Sequence, residues 1–538
     1  MPTDCISYSE TNYFSNLILD YLAQKDELKA FYHRFPELSN FKAQIGEKKA
    51  AFSKEHREVL VKVLREQYKD LEITGEVSGN IEALAENNTF TVVTGHQLNL
   101  FTGPLYFLYK IVSTINLTFI LKKEYPDYNF VPVYWMATED HDFEEINFFN
   151  LNGKKFKWNK ANDNAGKDAV GNLSTDGLDE VFKLFSAEIG GGKDADRLKE
   201  LFENAYLKHE NLTDATRYLA NELFKEYGLV ILDAQNKELK KEFIPFAKNE
   251  LTEQISHKNT LEKANALNDL GYNVQVNPRE INLFYLNNGL RERIIEKDGE
   301  YFVNDTEIRF TKDEILKELE DHPERFSPNV MMRPLYQEVV LPNLCYIGGG
   351  GELAYWLELK DYFEAENVPF PILLLRNSAL IQSEKIDGKR KRLNIKLKEL
   401  FLKQHELINR KVRKISNIDI DFSPQKQHLV EQFQEMYKLA EQTDKSFLGA
   451  VKAQEVKQLK GLEKLEHRLL KAQKRKLEDE VSRIAELQNE LFPNHGLQER
   501  RTNFSEIYAE YGDQLIPELI ENLNPLEANF KILTFGKG

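Results

Sequence analysis

Cysteine is nearly absent from this 538-residue chain. It holds two, Cys5 and Cys345, too few for a disulfide framework or a cysteine-rich zinc site. Long apolar runs are absent too. The most apolar extended stretch, 105–121, carries Lys110 and several polar residues, which argues against a membrane span. The opening MPTDCISYSETNYF lacks a basic start and an apolar core, so no secretory signal is read there. Nor is there a cationic excess. The 72 Lys and Arg face 87 Asp and Glu, a net charge of −15, whereas nucleic-acid binders normally present a basic face. The expectation is a reduced, soluble, cytoplasmic protein with no nucleic-acid or membrane partner. A small anionic substrate in a local basic pocket stays allowed.

What is present points to an α/β protein. The hydrophobic fraction of 41% supplies real cores, and the length suits about three or four domains. Residues 91–110, TVVTGHQLNLFTGPLYFLYK, read as a β-branched strand, a glycine turn at Gly95, a polar tip of His96 and Gln97, and a helix start. Pro104 suits a first helical position, and an amphipathic helix is expected over 104–122. Ligands of open α/β sheets bind where strand ends meet helix starts. Further strand-like runs at 129–135, 228–233, 344–347 and 371–375 alternate with helical stretches at 236–268 and 351–366, which predicts a mostly parallel sheet.

Two interruptions read as insertions. Residues 146–158 form a hairpin turning at Asn152–Gly153, followed by a polar, Gly-rich stretch (160–195) and a helix over 196–226. Residues 280–311 form a second β unit with turns at Asn287–Asn288–Gly289 and Lys297–Asp298–Gly299. Residues 12–70 are helical. Beyond Gln382 glycine becomes rare, and Leu465, Leu469, Leu477, Val481, Ile484, Leu487 and Leu491 step by three and four with one gap of eight. That approximates coiled-coil spacing. Two long helices folded back as a hairpin, broken at 416–424, is the simplest reading. Its apolar seam either meets a second copy or packs within one chain. The expected division is 1–145 (helices and first part of the core), 146–226 (first insertion), 227–279 (core), 280–330 (second insertion), 331–382 (core), 383–491 (coiled coil) and 492–538 (return to the core).

Three motifs carry chemistry. Just past the strand at 129–135, Glu139, Asp140, His141 and Asp142 crowd together. They could hold a cation or an amine, or act as acid and base; the plainer reading is a solvated loop capping a short helix. The spacing lacks a paired helical His motif, so no metal is assigned. Gly348, Gly349, Gly350, Gly351 and Glu352 lead from a strand into a helix, where backbone can approach a phosphate or carboxylate; the alternative is a tight turn needing positive φ. No Walker lysine follows. Arg376, at the end of the run 371–375, offers either an anion contact or a surface charge. Cys345, inside an apolar strand, reads as a small buried hydrophobe.

Together TGHQLNLFTGPLYFLYK, WMATEDHDFEEIN, YIGGGGELAYWLELK and FPNHGLQERRTNF resemble the bacillithiol biosynthesis cysteine-adding enzyme family, the cysteine ligases. Within that pattern His96 stands where Gln is common and Gly350 where Pro is common. The resemblance spans essentially the whole chain. It implies a Rossmann-like nucleotidyltransferase-type core with connecting-peptide insertions and a long antiparallel coiled coil that makes a homodimer. It implies ligation of L-cysteine to glucosaminyl malate, with ATP and a cysteinyl-adenylate as the route. In that scheme Thr94, Gly95, His96 and Gln97 hold phosphates or developing charge. Asp140, His141 or Asp142 binds or deprotonates the amine beside Glu139, while Gly348–Gly351 and Glu352 line the cysteine or sugar site. Arg376, Arg500 and Asn503 are further binding candidates. A nucleotidyltransferase on another small substrate, or a non-catalytic scaffold of the thiol pathway, are the alternatives.

Overall fold

The computed structural model describes residues 3–160, 168–287, 289–443 and 445–536. Residues 161–167 of the Gly-rich stretch, and Asn288 of the predicted turn, lie outside them. The chain divides into two compact units: residues 1–382 with 497–538, and residues 383–496.

The first unit is built on five parallel strands: β1 (Thr89–His96), β2 (Asn129–Met136), β3 (Val230–Asp233), β4 (Asn343–Gly348) and β5 (Ile372–Leu375), in the order β5-β4-β1-β2-β3. Nearly every strand residue is buried, the pattern of a sheet covered on both faces. The chain runs outward from β1 through β2 to β3, then crosses back to β4 and β5. The reversal between β1 and β4 is the switch point at which such sheets open a crevice.

Helix α1 (Tyr106–Glu124) follows β1. It is not the amphipathic helix expected from its sequence: from Phe107 to Thr118 every residue is buried. Leu117 and Leu121 pack into the core with Phe90, Val92, Leu344, Ile347, Ile372 and Leu374. Its polar residues face protein instead of water. Ser113 and Thr114 hydroxyls donate to carbonyls four residues back, and Asn116 donates to the Ile520 and Leu523 carbonyls. Pro104 stands just before the helix, where its carbonyl accepts from Phe107.

The first insertion opens with the expected hairpin (Phe148–Leu151 and Lys154–Lys157); left-handed Asn152 (φ 51°) and Gly153 (φ 73°) make the tight turn. The stretch read as polar and Gly-rich holds a helix, Leu178–Ile189, and the helix expected over 196–226 is two, Lys193–Tyr206 and Leu212–Phe224. Gln254, with φ 53°, likewise divides 236–268 into α2 (Lys237–Glu253) and a helix over Ile255–Asp269. The second insertion is a five-stranded antiparallel sheet. It leads to α3 (Arg333–Val340), then β4 and α4 (Gly350–Trp356).

The second unit contains α5 (Gln404–Ile415), α6 (Ser423–Ala440), α7 (Lys445–Lys476) and α8 (Glu478–Leu491). Helices α6 and α7 pack together; Tyr437 Oη donates to Glu455 at 2.7 Å. Leu477 (φ −108°, ψ 31°) separates α7 from α8. The seam read from Leu465 to Leu491, with its one gap of eight, is therefore two surfaces. Leu465 is exposed, while Ile484, Leu487 and Leu491 are buried beside Gln488, which donates to the Leu400 and Leu402 carbonyls. No helix among the described residues is long and apolar enough to cross a membrane.

Leu487→Ala should cost about 3 kcal/mol relative to the parent, measured by urea unfolding of the full chain. The loss should be equal at low and high protein concentration, because its contacts lie within one chain.

Candidate active site

A cavity of about 680 Å³ lies at the switch point, at the carboxyl ends of β1, β2 and β4. Gly95, His96 and Gln97 line it from β1, Trp135 to Asp140 from β2, and Gly349 to Glu352 from the β4–α4 turn.

Glu352 is the hub of one wall. Its carboxylate accepts from Lys110 Nζ (2.8 and 2.9 Å), Tyr346 Oη (2.7 Å) and the Gly349 amide (2.8 Å). Lys110 also donates to the Gly95 carbonyl. Burial alone would raise the carboxyl's pKa; Lys110 and these hydrogen bonds outweigh it and hold it at about 2. In the same α1 stretch burial lowers the Lys110 ammonium. Beside them Arg376 pairs with Glu499 at 2.7 Å, both almost fully buried.

Glu139 and Asp140 form another part of the lining. Asp140 accepts from Gln97 Nε2 (2.7 Å) and from the His141 amide (2.7 Å). Burial pushes its carboxyl up, but the bonds from His141 and Gln97 prevail and hold it at about 2. Glu139 pairs with buried Lys240 at 2.6 Å and accepts from Ser327. Arg291, from the second insertion, donates to His141 Nδ1 at 2.8 Å and stacks 3.9 Å from the Phe284 ring. Asp140, His141 and Asp142 bring one ligand atom each within 4.8 Å of one another, but Arg291 already brings positive charge there.

His96 is buried against Tyr106 and Phe107. Burial first, then the Lys110 charge, lowers its pKa to about 3, so the ring is neutral. It hydrogen-bonds to the Thr102 backbone, and its buried Nε2 has no partner among the described residues. With its proton directed at that backbone, Nε2 presents a lone pair. That accepts an O–H or N–H.

The structure brings Gly95, His96, Gln97, Glu139, Asp140, Gly349, Gly350, Gly351, Glu352, Arg376 and Arg500 to one cavity. His141 and Asp142 stand just behind it, joined through Asp140 and Arg291. Three candidates fall outside. Thr94 donates to the Ile347 carbonyl and ties β1 to β4. Gly348 has no room for a side chain, since a Cβ would stand 2.8 Å from Leu353. Asn503 is fully buried, donating to the Phe101 and Gly103 carbonyls and capping the next helix through Ser505 N. No glycine of the 348–351 run has positive φ; a Cβ on Gly349 would stand 3.4 Å from Glu352 and one on Gly350 3.3 Å from Ile18, whereas Gly351 faces open space and its backbone stays approachable. Sequence reasoning missed Lys110, Arg291, Arg333, Glu145, Tyr106 and Tyr346 as lining groups. The one available signal was Lys110, a cation set among apolar residues well before the terminal Lys122 and Lys123 of α1.

Residues 1–377 match the family model described as the N-terminal Rossmann-like domain of bacillithiol biosynthesis BshC, and 379–535 match its C-terminal coiled-coil domain. The chain is 72% identical to a protein of Christiangramia forsetii over 100% of both chains. It is 61% identical to one of Flavobacterium johnsoniae, covering 99% of this chain and 100% of that one. It is 30% identical to one of Staphylococcus saprophyticus, covering 95% and 96%. Each of these relatives is named "Putative cysteine ligase BshC".

Glu352→Gln keeps the shape of the hub but leaves Lys110 without a counter-charge. It should cost about 3 kcal/mol in urea unfolding at pH 7. In the parent the carboxyl's contribution is complete above its unfolded value of 4.5 and is lost as pH falls toward 2. The variant's stability should change less over that acid window.

Proposed function

The chain belongs to the bacillithiol biosynthesis BshC family, and we propose that its cavity is a ligase site joining the carboxyl of L-cysteine to the amine of glucosaminyl malate. The observation that carries this reading is a cavity at a Rossmann-like switch point lined by charges of both signs. Glu139, Asp140 and Glu145 line it with Arg291, and Lys110, Arg333 and Arg376 line it with Glu352. The relatives' name supplies cysteine as the acyl partner.

The acidic side suits the amine. Asp140, held at about 2, stays charged at working pH and attracts an ammonium, but it is too weak a base to remove a proton from one. Its role in this reading is to bind and orient. Gln97 fixes it by donating to both Asp140 and Glu145 (2.7 and 3.1 Å). His96 Nε2 accepts a substrate hydroxyl or N–H.

A carboxylate does not form an amide at neutral pH unless it is activated, and ATP is the donor we propose. When bound, it supplies a phosphoanhydride that turns the carboxylate into an acyl electrophile. The open backbone at Gly351 would face its phosphates, with exposed Arg500 at the rim. The reaction is placed in the cytoplasm, in keeping with two unpaired cysteines.

We also propose a homodimer through the helical unit. Its solvent-facing apolar residues Met436, Leu439, Leu448, Val456 and Leu465 offer the surface for a second copy, in place of the Ile484–Leu491 segment, which packs within the chain.

The purified full chain with L-cysteine, glucosaminyl malate and ATP should yield bacillithiol by mass spectrometry, with no product when any one is omitted. Pyrophosphate release independent of cysteine would indicate a nucleotidyltransferase instead. Asp140→Asn should lower kcat/KM about 100-fold while the melting temperature stays near the parent's.

Charges placed by Leu439→Glu with Leu465→Lys should give monomers in light scattering. A persistent dimer would place the contact on another surface.

A further inference from the structure

The cavity's cations are not equivalent once their counter-charges are assigned. Lys110 is neutralised by Glu352 at 2.8 Å, and Arg376 by Glu499 at 2.7 Å. Arg291 is ringed by Asp140, Glu139 and Asp142. Arg500 is exposed, and water solvates it. Arg333 is different. It is partly buried at the start of α3, its Nη1 donates to Gln337 Oε1 (3.1 Å) and its Nη2 to Tyr355 Oη (3.3 Å). Both acceptors are neutral. Among the described residues no carboxylate lies within 4 Å of it; Glu352 acts on it only from farther away. The guanidinium packs over the Tyr346 ring, 5.7 Å from its centroid.

A guanidinium withdrawn from water without a carboxylate is expensive, and folds normally pair it. Here two neutral acceptors and an aromatic face hold it in one orientation while leaving donors of its fork unused. The backbone also keeps it uncovered. A Cβ on Gly95 would stand 3.6 Å from Arg333 Nη1 and 3.4 Å from Tyr346 Oη. Gly95 does not have positive φ, so the missing side chain serves access and not turn geometry.

We propose that Arg333 is the carboxylate receptor of this cavity, taking a substrate carboxylate on its free donors and thereby selecting for it. The identity of that carboxylate rests on the ligation reading above: it is the malyl group of glucosaminyl malate, with the sugar amine directed to the Asp140 side. An amino sugar lacking the malyl group would keep only the amine contact. L-Cysteine carries a carboxylate too, but in ligation that group is consumed by the reaction, whereas the malyl carboxylates persist and can be held throughout.

The receptor is tested without ligation by calorimetric titration of L-malate into the full chain. The parent should bind it. Arg333→Ala should lose at least about 30-fold in affinity, and Arg333→Lys, which keeps a point charge without the fork, should recover part of that. Should Arg333→Ala fail to fold, Arg333→Gln carries the test, with a planar amide in place of the charge. No binding by the parent, or equal binding by the folded variants, overturns the proposal. Turnover separates the two readings. Arg333→Ala should raise KM for glucosaminyl malate with kcat nearly unchanged, and should leave methyl glucosaminide, which has no carboxylate, as poor a substrate as it is for the parent. Ligation with an unchanged KM overturns the receptor and leaves the ligase reading intact. Malate binding without any ligation by the parent does the reverse.

Discussion

The ion pair between Lys110 and Glu352 joins four of the elements that shape the cavity, α1, β1, α4 and β4. The lysine comes from α1, and through Nζ it also holds the last turn of β1 at the Gly95 carbonyl. The glutamate comes from α4, and it fixes the end of β4 through Tyr346 and caps its own helix through the Gly349 amide. One carboxylate thus sets the spacing between β1 and β4, where the strand order reverses. A purely apolar contact could bring these elements together, but it could not specify their positions along the strands to the same degree. The cost is a buried ammonium and a partly buried carboxylate, tolerated because both are hydrogen-bonded within the chain.

Around this pair, function and packing use the same residue types for different ends. Arg376 with Glu499, Lys240 with Glu139, and Lys48 with Glu338 (3.0 Å) are buried pairs that tie distant segments. Asp140, His96 and Arg333 instead keep capacity directed at the cavity. What separates the two groups is whether the chain itself completes the charge or the hydrogen bond.

Much of the core could be read from sequence because fully buried parallel strands are continuous apolar runs, and Val92–Val93, Leu344–Ile347 and Ile372–Leu375 are such runs. The clusters at Gly95–Gln97, Glu139–Asp140 and Gly349–Glu352 were legible because polar residues and glycines stand directly beyond those strands. Their partners were not. Lys110 and Glu352 are 242 residues apart, and Lys48 and Glu338 are 290 apart, and nothing local marks either pair. Asn503 looked like a ligand group because a buried Asn and a binding Asn are alike in sequence; only its three backbone hydrogen bonds distinguish them. The helix α1 misled for a related reason. Its Ser, Thr and Asn suggested a wet face, whereas Asn116 bonds to the C-terminal segment at Ile520 and Leu523, Ser113 meets Asn377, and Thr114 and Thr118 bond to carbonyls of their own helix.

Cys345 sits on β4, fully buried next to Tyr346, and burial raises its thiol well above the usual range. Cys5, on the strand Thr3–Ser7, is exposed. A thiolate is the species that attacks a disulfide. A chain that meets free cysteine, and in the proposed reaction releases another small thiol, would be exposed to mixed-disulfide exchange wherever those thiols have been oxidised to their disulfides. The core position is closed to that chemistry by its surroundings, so any such adduct falls on an edge strand, away from the sheet that carries the cavity.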